Sequence, residues 1–166
     1  MTGYRYRESI AGVLCELFKK PYVLSKPDVL IIALDKHLTN LTLREIGINI
    51  PEWHLIQCLE DFEEIRLKDN PYILKPVAEG SSIGISNDSI VANKDAALNR
   101  ASYLLKNYNQ PVLMQDFIHG KEVTIAVIED SGVVKALTPI LVNNGGMSDV
   151  EFKKRASSLQ PYCVLE

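Results

Sequence analysis

Lys75 stands in the middle of a β-prone run, Tyr72–Val77, which leads through Ala78-Glu79 into Gly80-Ser81-Ser82-Ile83-Gly84. A lysine so placed puts its ammonium on one sheet face, a costly position unless an anion or solvent meets it. The loop after it can offer successive backbone N–H groups and two hydroxyls to an anion, because glycine permits close approach and unusual dihedrals. Together they could cradle a phosphate. The pattern is not a Walker A loop, since no Gly-Lys-Ser/Thr closes it and a second β-prone run, Ser82–Ser86, is expected to follow where that motif needs a helix. It is not a dinucleotide fingerprint for the same reason. On loop composition alone, an ordinary Gly/Ser hairpin carrying a solvated lysine is the simpler account.

A second stretch, Leu113-Met-Gln115-Asp116-Phe117-Ile118-His-Gly120-Lys-Glu122, places a strand end, a turn and a carboxylate within a few residues. Free backbone groups near Asp116 and Ile118 could read the edge of an adenine. Phe117 and Ile118 could form an apolar wall, and Glu122 could accept from two ribose hydroxyls. The polar face of a plain hairpin would also account for Glu122.

The elements that must hold these groups are legible from periodicity. Ile10, Val13, Leu14, Leu17 and Phe18 fall on one helical stripe that Pro21 ends. A short extended piece, Tyr22–Ser25, precedes a helical stretch from Pro27 through Ile46, with Gly47 as its cap. Strands are expected around Trp53–Ile56, Tyr72–Val77 and Pro111–Phe117, with a short charged helix over Glu60–Lys68. Asn93 can cap a helix whose inner face carries Ala97, Leu98, Ala101, Leu104, Leu105 and Tyr108. Beyond it, Glu122–Ile128 and Val133–Leu137 alternate as a hairpin about Ser131-Gly132, Pro139–Val142 adds an edge strand, and Asn143–Ser148 is a polar loop. The sum is an α+β chain with antiparallel hairpins.

Composition narrows the function classes. The 166 residues are 46% hydrophobic and 23% charged, enough apolar side chains for a core. A net charge of -3 supplies no positive field to hold nucleic acid or an anionic membrane. The longest apolar run, Val29–Leu34, is too short to cross a bilayer, and the N-terminus lacks the pattern of an export signal. Cys15, Cys58 and Cys163 are far apart and read as small buried hydrophobes of a cytoplasmic protein rather than a disulfide framework. His37, His54 and His119 show no metal-ligand spacing.

The two chemical stretches resemble the ATP-grasp superfamily, and within it the D-alanine–D-alanine ligase group. Lys75-Pro followed by Glu79-Gly80-Ser81-Ser82-Ile83-Gly84 is similar to that group's strand and flexible phosphate loop. Asp35-Lys36, then Leu41, Gly47-Ile48 and Pro51, resembles its Asp-Lys entry helix and exit. The match runs over about residues 6 to 155 and implies the ATP-grasp fold, α+β with antiparallel sheets flanked by helices. It also implies a chain incomplete at both ends. Residues 1-34 would be the end of a preceding α/β domain, 35-118 the ATP-grasp N-terminal subdomain, and 119-166 the start of the C-terminal subdomain.

Position by position, the resemblance implies that Lys36 and Lys75 hold the α- and β-phosphates of ATP. Ser81 would order the substrate side, while Ser82 and its neighbouring amides close over the γ-phosphate. Gln115 stands where the family usually has a glutamate at the adenine amino group. The backbone at Asp116 and Ile118 would read the base between Ile73, Phe117 and Met147, and Glu122 would bind the ribose. Asp149-Val-Glu151-Phe-Lys153-Lys154 is similar to the loop that folds over the reacting phosphate, with Lys153 as its lysine. Lys154 replaces a tyrosine of the peptide-forming enzymes, and Tyr6-Arg7-Glu8 departs from their Glu-Asp-Gly run. D-alanine is therefore one candidate among small amino acids and carboxylates. The implied chemistry is ATP-dependent joining of a carboxylate to an amine through an acyl phosphate, with Mg2+ ligands expected beyond this stretch. A homodimer of the full-length enzyme is admitted by the same resemblance, as is a catalytically incomplete relic that binds nucleotide, or another ATP-grasp branch.

Overall fold

Alternation along Tyr72–Pro76 sets the architecture, because it sends Tyr72, Leu74 and Pro76 to one face and Ile73 and Lys75 to the other. A computed structural model describes residues 5–142 and 162–164. By its internal contacts the chain divides into two units, Met1–Phe117 and Ile118–Glu166.

The first unit is built on a four-stranded antiparallel sheet of β1 (Trp53–Ile56), β2 (Tyr72–Pro76), β3 (Ile90–Val91) and β4 (Val112–Asp116), in the order β1-β4-β2-β3. Helix α4 (Lys94–Tyr108) covers one face. Asn93 caps it by accepting from the Ala96 N–H at 2.9 Å, and Asn109 ends it in the left-handed region at φ 49°. Ala97, Ala101 and Leu104 pack with Ile56, Phe62, Tyr72, Leu74, Val112 and Met114 into the main core. Each large side chain sealed there contributes roughly 1.5–3 kcal/mol relative to exposure. A smaller cluster of Val77, Ala78 and Leu113 lies on the opposite face, flanked by Trp53 and Leu55. The expected charged helix is a short 3-10 turn, Leu59–Glu63, whose Phe62 is buried in the main core.

The long helix expected from Pro27 to Ile46 is broken in two, α2 (Pro27–Leu34) and α3 (Lys36–Glu45). Asp35 makes the break. Its backbone is extended at φ -85° and ψ 102°, and its Oδ1 accepts from the N–H groups of His37 and Leu38, both at 3.0 Å. Its Oδ2 lies 3.0 Å from Arg5 Nε. An aspartate that satisfies two orphan donors favours starting a new helix over continuing the old one. Helix α1 (Ile10–Leu17) forms as expected, but only Gly12 of it is buried. Cys58 also departs from expectation: it is exposed, at the start of the 3-10 turn.

In the second unit the expected run Glu122–Ile128 is interrupted, giving β5 (Val123–Thr124) and β6 (Val127–Asp130). Strand β6 pairs with β7 (Val133–Ala136) through a turn in which Ser131 and Gly132 both have positive φ. The strand expected at an edge, β8 (Ile140–Val142), lies between β5 and β9 (Tyr162–Val164). Its central position follows from accepting a partner on each side.

Replacing Asp35 with alanine removes the cap that separates α2 from α3. The variant should lose about 1–2 kcal/mol, read as a lower urea midpoint at unchanged slope.

Candidate functional site

The face of the first sheet turned away from α4 gathers the chemistry. Antiparallel register sets Ile73 opposite Gln115 and Lys75 opposite Leu113, while Trp53 and Leu55 of β1 face Gln115 and Leu113. Lys75 Nζ donates to Gln115 Oε1 at 2.9 Å. Burial lowers the Lys75 pKa. The amide gives the ammonium a hydrogen-bond acceptor without a charge, and among the described residues no carboxylate forms an ion pair with it, which suits it to meet an anion.

Lys36 reaches the same region from the first residue of α3. Its backbone N–H donates to Val77 O at 3.0 Å. Its Nζ donates to Pro76 O at 2.9 Å, more weakly to Val77 O at 3.4 Å, and to Glu79 O. Burial first, then the like charge of Lys75, lower its pKa to about 8, against the opposing pull of Glu79. The structure thus spends the Lys36 ammonium on the carbonyls at the end of β2.

The loop that follows is held at its entry. Buried Glu79 accepts from Gln110 Nε2 at 2.8 Å and lies 3.2 Å from Arg7 Nη2. Arg7 Nη1 donates to Ala78 O at 2.8 Å, and the Ala78 N–H donates to Gln110 Oε1 at 2.7 Å. Residues 81–84 form turns, not the strand expected over Ser82–Ser86. The reason is conformational: Ser81 and Ser82 have φ of 51° and 58°, and Gly84 of 77°, and such residues cannot sit in a pleated strand. A Cβ at Gly84 would come within 2.5 Å of Pro76 Cγ, so the loop doubles back against β2. Ser81 is exposed and Ser82 half-buried.

At the end of β4 the Asp116 N–H donates to Glu52 O and the Phe117 N–H to Pro71 O, both at 2.9 Å. Both of these donors are therefore taken up by backbone carbonyls. The Asp116 carboxylate lies 3.5 Å from Lys68 Nζ, which also pairs with Glu52. Beside this edge Trp53 Nε1 donates to His37 Nδ1 at 3.0 Å, and Arg44 lies 4.8 Å over the indole. In the second unit Glu122 is exposed, its carbonyl accepts from the Val142 N–H at 2.9 Å, and Ile118 is exposed. Met147, Lys153 and the Asn143–Ser148 loop lie outside the described residues.

The structure brings together Lys36, Ile73, Lys75 and Gln115 around one face and one strand end, with Ser81 and Ser82 in the loop that leaves it. Arg7, Gln110 and the Glu79 side chain escaped the sequence reading as loop supports; a glutamate directly after a buried strand was the available signal, since it needs a cation. Cavities of about 620 Å³ beside Trp53 and Asp61 and about 610 Å³ beside Asp88 and Arg100 are not lined by any of the expected nucleotide residues. Among the described residues no group of three or more His, Cys, Asp or Glu side chains fits a metal ion.

Residues 42–163 match the family model for the D-ala D-ala ligase C-terminus. The chain belongs to that family. The D-alanine--D-alanine ligase of Bordetella pertussis is 32% identical over 166 residues, an alignment covering 96% of this chain and 50% of that protein. This member of the family thus spans about half the length of the curated relatives it matches. Among solved structures, a D-Ala:D-Ser ligase of Enterococcus faecalis superposes with a TM-score of 0.69 at 21% identity, covering 80% of this chain and 38% of the other. The Bacillus anthracis D-alanine--D-alanine ligase complexed with ATP gives 0.63 at 22%, covering 85% and 45%. These likenesses establish the fold as ATP-grasp, α+β with antiparallel sheets and helices. No helix among the described residues is long and apolar enough to cross a membrane.

The lowered Lys36 pKa makes stability depend on pH with a definite sign. The unfolded chain holds that proton up to about 10.5 and the folded chain only up to about 8. The penalty is therefore complete below pH 8 and relieved as pH rises toward 10.5. Urea midpoints of the wild type should climb relative to Lys36→Met across that window, and parallel curves would refute the assignment.

Proposed function

We propose that this chain supplies the ATP-binding region of an ATP-dependent carboxylate–amine ligase, which makes an amide bond through an acyl phosphate. The observation that carries the reading is the half-buried Lys75 ammonium on the strand that leads into the Ser81-Ser82 loop, hydrogen-bonded to Gln115 and with no carboxylate partner among the described residues. Lys75, assisted by Lys36, meets the α- and β-phosphates. Ser82 and the loop amides meet the γ-phosphate, and Ser81 orders the acceptor side. The adenine lies against Ile73, Phe117 and Met147. The Asp116 carbonyl and the Ile118 N–H read its edge, since the intervening donors are already used, and Gln115 lies beside its amino group. Glu122 takes the ribose hydroxyls. Lys153 closes on the transferring phosphate.

In such a transfer the chain's part is electrostatic. Fixed ammonium groups and amides oppose the charge that builds on the phosphoryl oxygens, and they are oriented before the reaction begins. Mg2+ enters as the companion cation of ATP, neutralising phosphate charge when bound. The other substrates are small amino acids or carboxylates in the cytoplasm, with no nucleic acid or membrane partner. A homodimer is the assembly proposed for the full-length enzyme.

A second reading, nucleotide binding without turnover, draws support from Lys36, whose ammonium is held by backbone carbonyls. Phosphate release in the presence of ATP and paired amino acids separates the two, because only the ligase releases it. Under either reading Lys75→Met should weaken ATP binding roughly tenfold or more. It should leave the melting temperature unchanged or higher, since a half-buried charge is removed. Titration calorimetry with a parallel melt tests both, and unaltered ATP affinity refutes the assignment of Lys75.

A further inference from the structure

Arg100 lies on α4 between Ala97 and Leu104, both fully buried, and helical spacing turns it toward the sheet. Its Nη2 donates to Gly84 O at 2.8 Å and to Ser89 Oγ at 2.9 Å, and its guanidinium lies 5.1 Å over the Tyr103 ring. Among the described residues no carboxylate forms an ion pair with it, and its Nε is buried without a hydrogen-bond partner. A guanidinium held in this way is costly. What it secures is the far end of the phosphate loop.

Two features make that end worth securing. Gly84 is in the left-handed region at φ 77°, pressed against Pro76. The loop's own bonds are short-range turns, Ile83 N–H to Gly80 O at 3.0 Å and Ile85 N–H to Ser82 O at 3.1 Å. Ser89 is fully buried, and its hydroxyl accepts from the Ser86 N–H at 3.0 Å as well as from Arg100. The entry of the loop is tied by Glu79, Arg7 and Gln110, and the exit by Arg100 on Gly84 and Ser89.

We infer that Arg100 is a positioning residue for nucleotide binding, fixing the loop exit so that the amides around Ser82 face the terminal phosphate of the triphosphate. The inference rests on the ATP reading above. It has a consequence that a merely structural role lacks: the loss should be confined to ligands that carry a γ-phosphate, because that phosphate is the group the proposal assigns to the Ser82 amides.

The test is calorimetric titration of the full-length protein with the β,γ-imido analogue of ATP and with ADP. Wild type, Arg100→Met and Arg100→Lys are compared, with amide exchange followed over residues 81–86. Arg100→Met should weaken the triphosphate analogue roughly tenfold and ADP less than about twofold, with faster exchange in the loop. Arg100→Lys should recover part of the difference, since a lysine can still donate to Gly84 O. Arg100→Gln, which keeps N–H donors without the charge, gives the same comparison if the methionine variant does not fold. Equal weakening of both nucleotides, or of neither, in a protein whose wild type binds the analogue overturns the inference and leaves the ATP reading standing. A wild type that binds no nucleotide overturns both.

Discussion

An ammonium group set into a sheet face beside an amide rather than a carboxylate carries a standing cost in free energy, and most of the first unit is arranged around that cost. Lys75 can occupy its position because the strand beneath it is anchored from the other side. Tyr72 and Leu74, its neighbours in β2, are buried against α4 with Met114 and Leu104. Their burial offsets the desolvation of one charge. Gln115 orients the ammonium without neutralising it. A glutamate there would stabilise the resting protein and at the same time compete with an incoming phosphate.

The same constraint explains why α2 and α3 are separate helices. A continuous helix from Pro27 to Ile46 would give Lys36 an ordinary mid-helix position. The break at Asp35 makes Lys36 the first residue of α3, so that its N–H and its ammonium both reach the end of β2. Asp35 is itself buried, and Arg5 lies against its second oxygen. Helix start, strand end and loop entry are thus joined through a few polar groups whose partners are mostly backbone carbonyls.

Much of this was legible in the sequence, and the failures have physical causes. Compact β-prone runs revealed β2 and β4, and the Asn93 cap with the Ala97, Ala101 and Leu104 stripe revealed α4. The break at Asp35 was hidden because the apolar period runs on through it; only the aspartate's capping capacity distinguishes a pause from a continuation. The Ser82–Ser86 strand was expected from composition, but serines adopting positive φ leave no mark in composition. Strand β8 read as an edge because Pro139 cannot donate to a ladder, whereas the strand proper begins one residue later. Arg100 did leave a signal, as a charged residue bordering the inner stripe of a helix, a place where a solvated face predicts none. Gln110 left none, since its contacts depend wholly on tertiary placement.

The single tryptophan of the chain is Trp53, set across from Gln115 in the sheet, tethered to His37 and covered by Arg44. An indole in that surrounding is an internal fluorophore: its emission colour and quenching follow the polarity beside Gln115, and no dye or label is required. These 166 residues thereby carry their own optical gauge of what settles beside Gln115, with no second indole among them.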